Sequence, residues 1–242
     1  MPRVARDAGR SFYVRAEAYG TYHSRAAVVR LAKGNHVSQR RNVSGHPDEA
    51  GWTFLPLTAE RWPDLETLFG RNGACAGCWD MYLRLRPGEW GRMQGEPNHQ
   101  AFRQIVMSGT EPGIIAYAGN VPAGWCAVEP REAYPALARS RLLHPVDDEP
   151  VWAITCFFVH RAFRRRGLIT CLLREAVAWA QAHGARIIEG YPIDPGEKRI
   201  SAGNAWRGTA DLFRAAGFTE VARRAPDRPI MRYSRDGASS AP

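Results

Sequence analysis

The chain has 242 residues, 45% of them hydrophobic, and a formal charge of +9; that is enough for a packed core in one large domain, or one domain plus an appendage. No apolar run approaches the roughly 20 residues that span a membrane, and the first residues lack an apolar secretory stretch, so the expectation is a cytosolic protein. The charge is uneven, with +5 over residues 1–50, and only Lys33 and Lys198 of the 33 basic residues are lysines, a bias that reads as composition more than as selection for nucleic acid.

Residues 1–51 show no sustained periodicity and are expected to be a disordered or loosely attached arginine-rich leader. That composition fits an organelle-targeting peptide or a start assigned too early equally well. The folded domain is expected over 52–234, with a frayed tail at 235–242. Thr53–Thr58 reads as a strand. Ala59–Gly70 reads as a helix, with Trp62, Leu65, Leu68 and Phe69 on one face and Pro63 tolerated in its first turn. A loop, Arg71–Gly77, leads into the aromatic-rich segment CWDMYLRLRPGEWG. Pro97–Ser108 is a second helix, with Phe102, Ile105 and Val106 facing the core. Gly113–Ala118 and Val121–Val128 form a hairpin about Gly119-Asn120, two residues that tolerate positive φ. Arg131–Asp148 is an insertion with a short helix over Pro135–Leu142.

Val151–Val159 reads as the central strand. Leu168–Ala182 carries two adjacent apolar rows, one through Leu168, Leu172, Ala176 and Ala180 and one through Ile169, Leu173 and Val177. Together they make a stripe that packs on a sheet. Arg186–Tyr191 is the next strand, parallel to the previous one in a βαβ unit. Ala205–Ala216 is a further helix, and Phe218–Arg224 with Pro229–Tyr233 makes a terminal hairpin. The five cysteines are an odd number, and three lie in apolar segments, which points to reduced core thiols. Cys75 and Cys78 form a lone Cys-x-x-Cys with no second pair to complete a metal site, so no metal is expected.

Between the central strand and the long helix lies the turn Arg164-Arg165-Arg166-Gly167-Leu168-Ile169. A strand, a tight turn and a helix start can aim several backbone N–H groups at one point, where the helix dipole also favours an anion. Three arginines deepen that potential, so the expected ligand carries phosphate. It is not a P-loop nucleotide, because no Gly-Lys-Ser/Thr is present, and the turn lacks the three glycines of a dinucleotide fold.

The same residues resemble the acyl-CoA-binding motif of the GNAT-type N-acetyltransferase superfamily, whose pattern is Arg or Gln, two residues, Gly, one residue, then Gly or Ala. Arg164 and Gly167 fit; Ile169 stands where a small residue is usual, and is expected to crowd the phosphate approach. The chain order also follows that superfamily over roughly Trp52–Tyr233. The resemblance implies a mixed α/β (α+β) fold: a mostly antiparallel sheet of about seven strands, with a splayed parallel pair and flanking helices. It implies acetyl-CoA as acyl donor, with pantetheine pairing to the backbone of Phe157, Phe158 and Val159. The pyrophosphate would rest on Arg164, Arg165, Arg166, Gly167, Leu168, Ile169 and Thr170, with Asn204 near the pantetheine or as a helix cap.

The implied reaction is acyl transfer to an amine of a small molecule or protein, by direct attack in a ternary complex. It needs a base for the amine proton and stabilisation of the oxyanion. Glu129, Glu132, Glu189 and His160 are candidate bases. Phe213 occupies the place where many relatives carry a proton-donating tyrosine, leaving Tyr191 as an alternative donor or the thiolate unassisted. Trp79, Tyr82, Trp90, Trp125 and Tyr134 either wall an acceptor pocket or fill the core, and Arg131, Arg139 and Arg141 hint at an acidic acceptor. Two other classes stay in view: an acyl-CoA-sensing domain with little catalysis, and a nucleic-acid binder using the arginine-rich leader, for which no recognition motif is present. A monomer or homodimer is expected.

Overall fold

A computed structural model of the protein describes residues 51–196 and 206–234. The expected leader (but for Gly51), Asn204 and the expected tail lie outside them. The elements in chain order are β1 (Trp52–Pro56), α1 (Trp62–Phe69), α2 (Pro87–Trp90), α3 (Glu96–Met107), β2 (Gly113–Ala118), β3 (Val121–Pro130), α4 (Pro135–Arg139), β4 (Val151–Val159), α5 (Leu168–Ala182), β5 (Ile187–Gly190), α6 (Ala210–Ala215), β6 (Thr219–Arg223) and β7 (Pro229–Ser234). The expected first helix divides, its start Ala59–Arg61 being a 3-10 turn. The helix expected from Ala205 becomes the shorter α6, because Gly208 at φ +70 breaks it. Thr209 then caps α6, its hydroxyl accepting the Leu212 N–H at 3.1 Å.

Seven strands form one mixed sheet in the order β1-β2-β3-β4-β5-β7-β6. Every neighbouring pair is antiparallel except β4 and β5. The alternation of side chains along β4 divides the core. Ile154 and Phe157 face α5 with Leu168, Leu172, Ala176 and Phe213. Cys156 and Phe158 face the opposite layer, where α1 and α3 bring Leu65, Phe69, Phe102 and Val106 onto Trp125 and Ile115. Both layers bury their large apolar side chains, each contributing roughly 1.5–3 kcal/mol relative to exposure. No helix among the described residues is long and apolar enough to cross a membrane.

Two local features position the site. β4 pairs with β5 only from Val151↔Ile187 to Ile154↔Gly190, although β4 runs on to Val159. Its register against β3 also slips between Ala127 and Val128, leaving Thr155 as the extra residue of a bulge. Past Gly190 the chain bends away, and Ile193 bridges to Thr209. Gly190 itself is required by close packing: a Cβ there would lie 2.0 Å from Phe213 Cε1. That ring cannot withdraw, since it is fully buried with Phe157 at 6.1 Å on one side and Phe218 at 4.9 Å on the other. Gly190→Ala is therefore expected to cost about 1–3 kcal/mol by overpacking, measurable as a lower denaturant midpoint at unchanged slope.

Candidate functional site

The separation of β4 from β5 leaves one edge of Thr155–Phe158 without a strand neighbour among the described residues. A cavity of about 260 Å³ opens against it. Residues from Ala74 to Trp90, among them Asp80 and Tyr82, line it too, as do Trp206 and Arg207. The surfaces are mainly apolar and aromatic, from Phe69, Tyr82, Leu83, Trp90 and Phe158.

The segment Gly73–Asp80 is folded in an unusual way. Ala74, Ala76, Trp79 and Asp80 all have positive φ, at 67°, 50°, 45° and 59°. Each such non-glycine residue costs about 1–3 kcal/mol, and clusters of them mark functional sites. The compensation is visible locally. The Trp79 ring is wedged against His99 at 4.2 Å, Phe69 at 5.8 Å and Trp62 at 6.3 Å. Gly73 and Gly77 admit this packing, because a Cβ on them would fall 2.4 Å from Trp79 Nε1 and 2.3 Å from the Gly95 nitrogen. The small residues around the Cys-x-x-Cys thus serve tight packing. All five cysteines are free, and no metal-holding cluster occurs among the described residues.

With Trp79 turned into the core, Asp80 lines the cavity. It is 7% exposed, and the fully buried Trp125 indole N–H donates to its Oδ2 at 3.2 Å. Burial pushes its carboxyl up to about 6; Arg84 and the Trp125 bond pull the other way, and Glu129 adds to the rise. A buried carboxyl raised by desolvation and lining a cleft is a functional-site candidate. Asp80 was not among the sequence candidates. The one signal was a lone acid inside an aromatic run with an arginine four residues on.

The sequence-predicted catalytic residues lie elsewhere. Glu129 is buried in an ion pair with Arg84, whose guanidinium also sits over the Tyr134 ring and donates to its hydroxyl at 3.4 Å. Glu189 is bracketed by arginines: Arg232 Nε donates to Oε1 at 2.9 Å and Arg131 Nε stands 3.6 Å from Oε2. The Tyr191 hydroxyl donates to Glu189 Oε2 at 2.7 Å and accepts from Arg131 Nε at 3.1 Å. None of the three lines the cavity. Arg131 also donates to the Leu143 carbonyl at 2.6 Å and Arg232 to Asp147 at 2.8 Å, so this network ties the 131–148 insertion to the sheet. Glu189→Gln is expected to destabilise by about 3–5 kcal/mol, because it leaves the largely buried Arg131 without a counter-charge. A lower Tm with little change in kcat for the folded fraction would show it.

Glu132 stands with Asp147 and Arg232 around a separate groove. His160 starts the turn after β4, its Nδ1 accepting the Ala162 N–H at 3.4 Å. Phe213 is core. The aromatic candidates divide: Tyr82 and Trp90 wall the cavity, whereas Trp79, Trp125 and Tyr134 are buried structure.

At the end of β4, Arg165 and Gly167 take φ of +60° and +74° around Arg166. Alternation of this kind makes a concave nest of N–H groups. The first N–H groups of α5 have no intrahelical acceptor, and Arg164–Gly167 are exposed. Ile169 does not crowd the turn: its side chain packs against the α5 core. The Arg164 guanidinium turns back, donating from Nε to the Val159 carbonyl at 3.0 Å, which pins the turn to β4 and occupies that carbonyl. An open nest at the start of a 15-residue helix fits a phosphate group.

The acetyltransferase (GNAT) family model matches residues 76–194. That stretch includes β4, the nest and α5. Among solved structures, a GNAT-family acetyltransferase from Streptococcus agalactiae is 14% identical and aligns over 76% of this chain and 96% of its own, with a TM-score of 0.46. One from Listeria monocytogenes is 10% identical over 76% and 94%, at 0.47. PaiA N-acetyltransferase from Thermoplasma acidophilum, in complex with coenzyme A, is 13% identical over 76% and 98%, at 0.43. No curated protein matches.

Proposed function

We propose that residues 52–234 form an N-acetyltransferase domain that transfers the acetyl group of acetyl-CoA to an amine in the aromatic cavity. The observation that carries this reading is the unpaired edge of β4, which runs between an open phosphate nest and a cavity holding a buried carboxylate. Fit to the donor is supported by both ends: the exposed turn and the first N–H groups of α5 for pyrophosphate, and strand backbone past Ile154 with no β5 partner for the pantetheine amides. Arg165 and Arg166 add positive potential at the nest.

Acetyl-CoA supplies an activated acyl carbon: a C–N bond forms to the amine, the C–S bond breaks, and its electron pair leaves on sulfur. The work of the chain is positioning and proton transfer. Asp80 accepts the ammonium proton and passes it to solvent, so that the neutral amine attacks. The proton still on nitrogen after attack neutralises the departing thiolate, a leaving group of modest basicity that needs no tyrosine at Phe213. Walls from Phe69, Tyr82 and Trp90 exclude water and strengthen the pairing of Asp80 with a cationic amine. The Glu129–Arg84 pair and the Glu189 network act as scaffold. A thiol-release assay with acetyl-CoA and an amine panel tests the reading: amine-dependent release of CoA is expected, and acetyl-CoA binding without turnover of any amine would favour a sensor.

A further inference from the structure

Two side chains of opposite charge line the cavity, Asp80 with its carboxyl and Arg207 with its guanidinium. Arg207 has no ion-pair partner among the described residues, and its Nε is buried with no hydrogen bond. Its nearest electrostatic company is unfavourable. Burial, and after it the Arg228 guanidinium, pull its pKa down to about 10 against weaker opposition from Tyr82, Cys156 and Asp227. Arg228 likewise has a buried Nη1 without a partner, and its one carboxylate, Asp227, stands 3.6 Å away and half exposed.

Stacking on Trp206, at 4.0 Å from ring centroid to Cζ, orients the Arg207 guanidinium. Trp206 is itself held edge-on by Tyr82 at 5.4 Å. A half-buried cation without a counter-ion is costly in isolation. Orphaned donors on a cavity wall are satisfied by a ligand that brings an anion. A guanidinium does this best for a carboxylate, which its planar donors match.

From these two side chains we infer that the acceptor is a zwitterion: a free amino acid with an apolar or aromatic side chain, its ammonium at Asp80, its carboxylate at Arg207 and its side chain against Tyr82, Trp90 and Phe69. This rests on the reading of the domain as an amine acetyltransferase and narrows its acceptor class. The volume of about 260 Å³ suits one small molecule. A simple amine would leave Arg207 unsatisfied, whereas an amino acid satisfies both charges at once.

The test is a matched set of acceptors with the full-length protein and acetyl-CoA. Phenylalanine, tyrosine, leucine and methionine are each compared with the corresponding decarboxylated amine and with the amino-acid amide. For at least one set, kcat/KM is expected to favour the amino acid over both neutral counterparts by tenfold or more, the range for one charged hydrogen-bonding contact. Arg207→Gln is expected to bring that ratio close to one, and Arg207→Lys to restore part of it. Amines equal to or better than their amino acids would overturn the inference. So would an Arg207→Gln variant that weakens acetyl-CoA binding and leaves the ratio intact, since Arg207 would then serve the donor. No turnover of any amino acid by a protein that binds acetyl-CoA also overturns it and leaves the donor site standing. Failure to bind acetyl-CoA would instead remove the reading on which it rests.

Discussion

Asp80→Asn is expected to lower kcat by about 10²–10⁴-fold, the usual contribution of a positioned general base, and to remove a rise in kcat/KM with a midpoint near pH 6 in the unaltered protein. The accompanying stability change distinguishes this from a structural role. The Asp80 carboxyl is raised from its ordinary 3.8 to about 6 in the folded chain, so the folded state holds the proton more tightly than the unfolded one. Its contribution to stability is fully present below about pH 4 and is lost as pH rises through about 6. The loss at pH 7 is on the order of 3 kcal/mol. Asparagine keeps an oxygen to accept from the Trp125 indole and removes the buried charge. The variant is therefore expected to be more stable than the parent at pH 7, by less than that amount because Arg84 loses an attraction, and to match it below about pH 4. Calorimetric Tm values across pH 3.5–7.5, beside pH–rate profiles, give both readouts. A variant that is inactive and also less stable at pH 7 would assign Asp80 to the scaffold.

Gly167→Val is expected to abolish thermal stabilisation by acetyl-CoA while the protein remains folded. Gly167 sits at φ +74°, the left-handed region that a β-branched side chain disfavours, yet a Cβ there would meet no atom within 4 Å. The substitution thus strains the turn without clashing with the core. About 1–3 kcal/mol of strain is relieved by rotating the peptides on either side of Gly167, and this turns their N–H groups out of the nest. Losing those donors weakens acetyl-CoA binding by about 100-fold or more. At a ligand concentration that is tenfold above the parental Kd, the Tm shift is then lost. Arg165, at φ +60°, offers a milder companion: Arg165→Gly relieves strain and keeps the nest, so binding should persist with a small loss from the missing charge.

The strand, turn and helix proposed to hold the donor were legible in the sequence because they are local. A strand, a Gly-containing turn and an amphipathic helix lie within Val151–Ala182, and their spacing alone fixes where N–H groups converge. The parallel pairing of β4 with β5 follows from the same unit. The cavity proposed for the acceptor was not legible because it is assembled from distant parts. Glu129 reads as a free acid at a strand end until Arg84, 45 positions earlier, is brought onto it. Glu189 reads likewise until Arg131 and Arg232 close around it. Asp80 was hidden for a different reason. Its orientation depends on two alanines and a tryptophan at positive φ, which no propensity rule anticipates, and on glycines at 73 and 77 whose need appears only when the Trp79 ring is seen against them. Ile169 departs from the family pattern, yet its half-buried side chain packs against the α5 core.

Isothermal titration of acetyl-CoA into the full-length protein, repeated with Gly167→Val, tests the central claim most directly. Saturable one-site binding is predicted for the parent, competed by free CoA and lost in the variant at unchanged circular dichroism. A folded parent protein that shows no binding, or a variant that binds as the parent does, would contradict it.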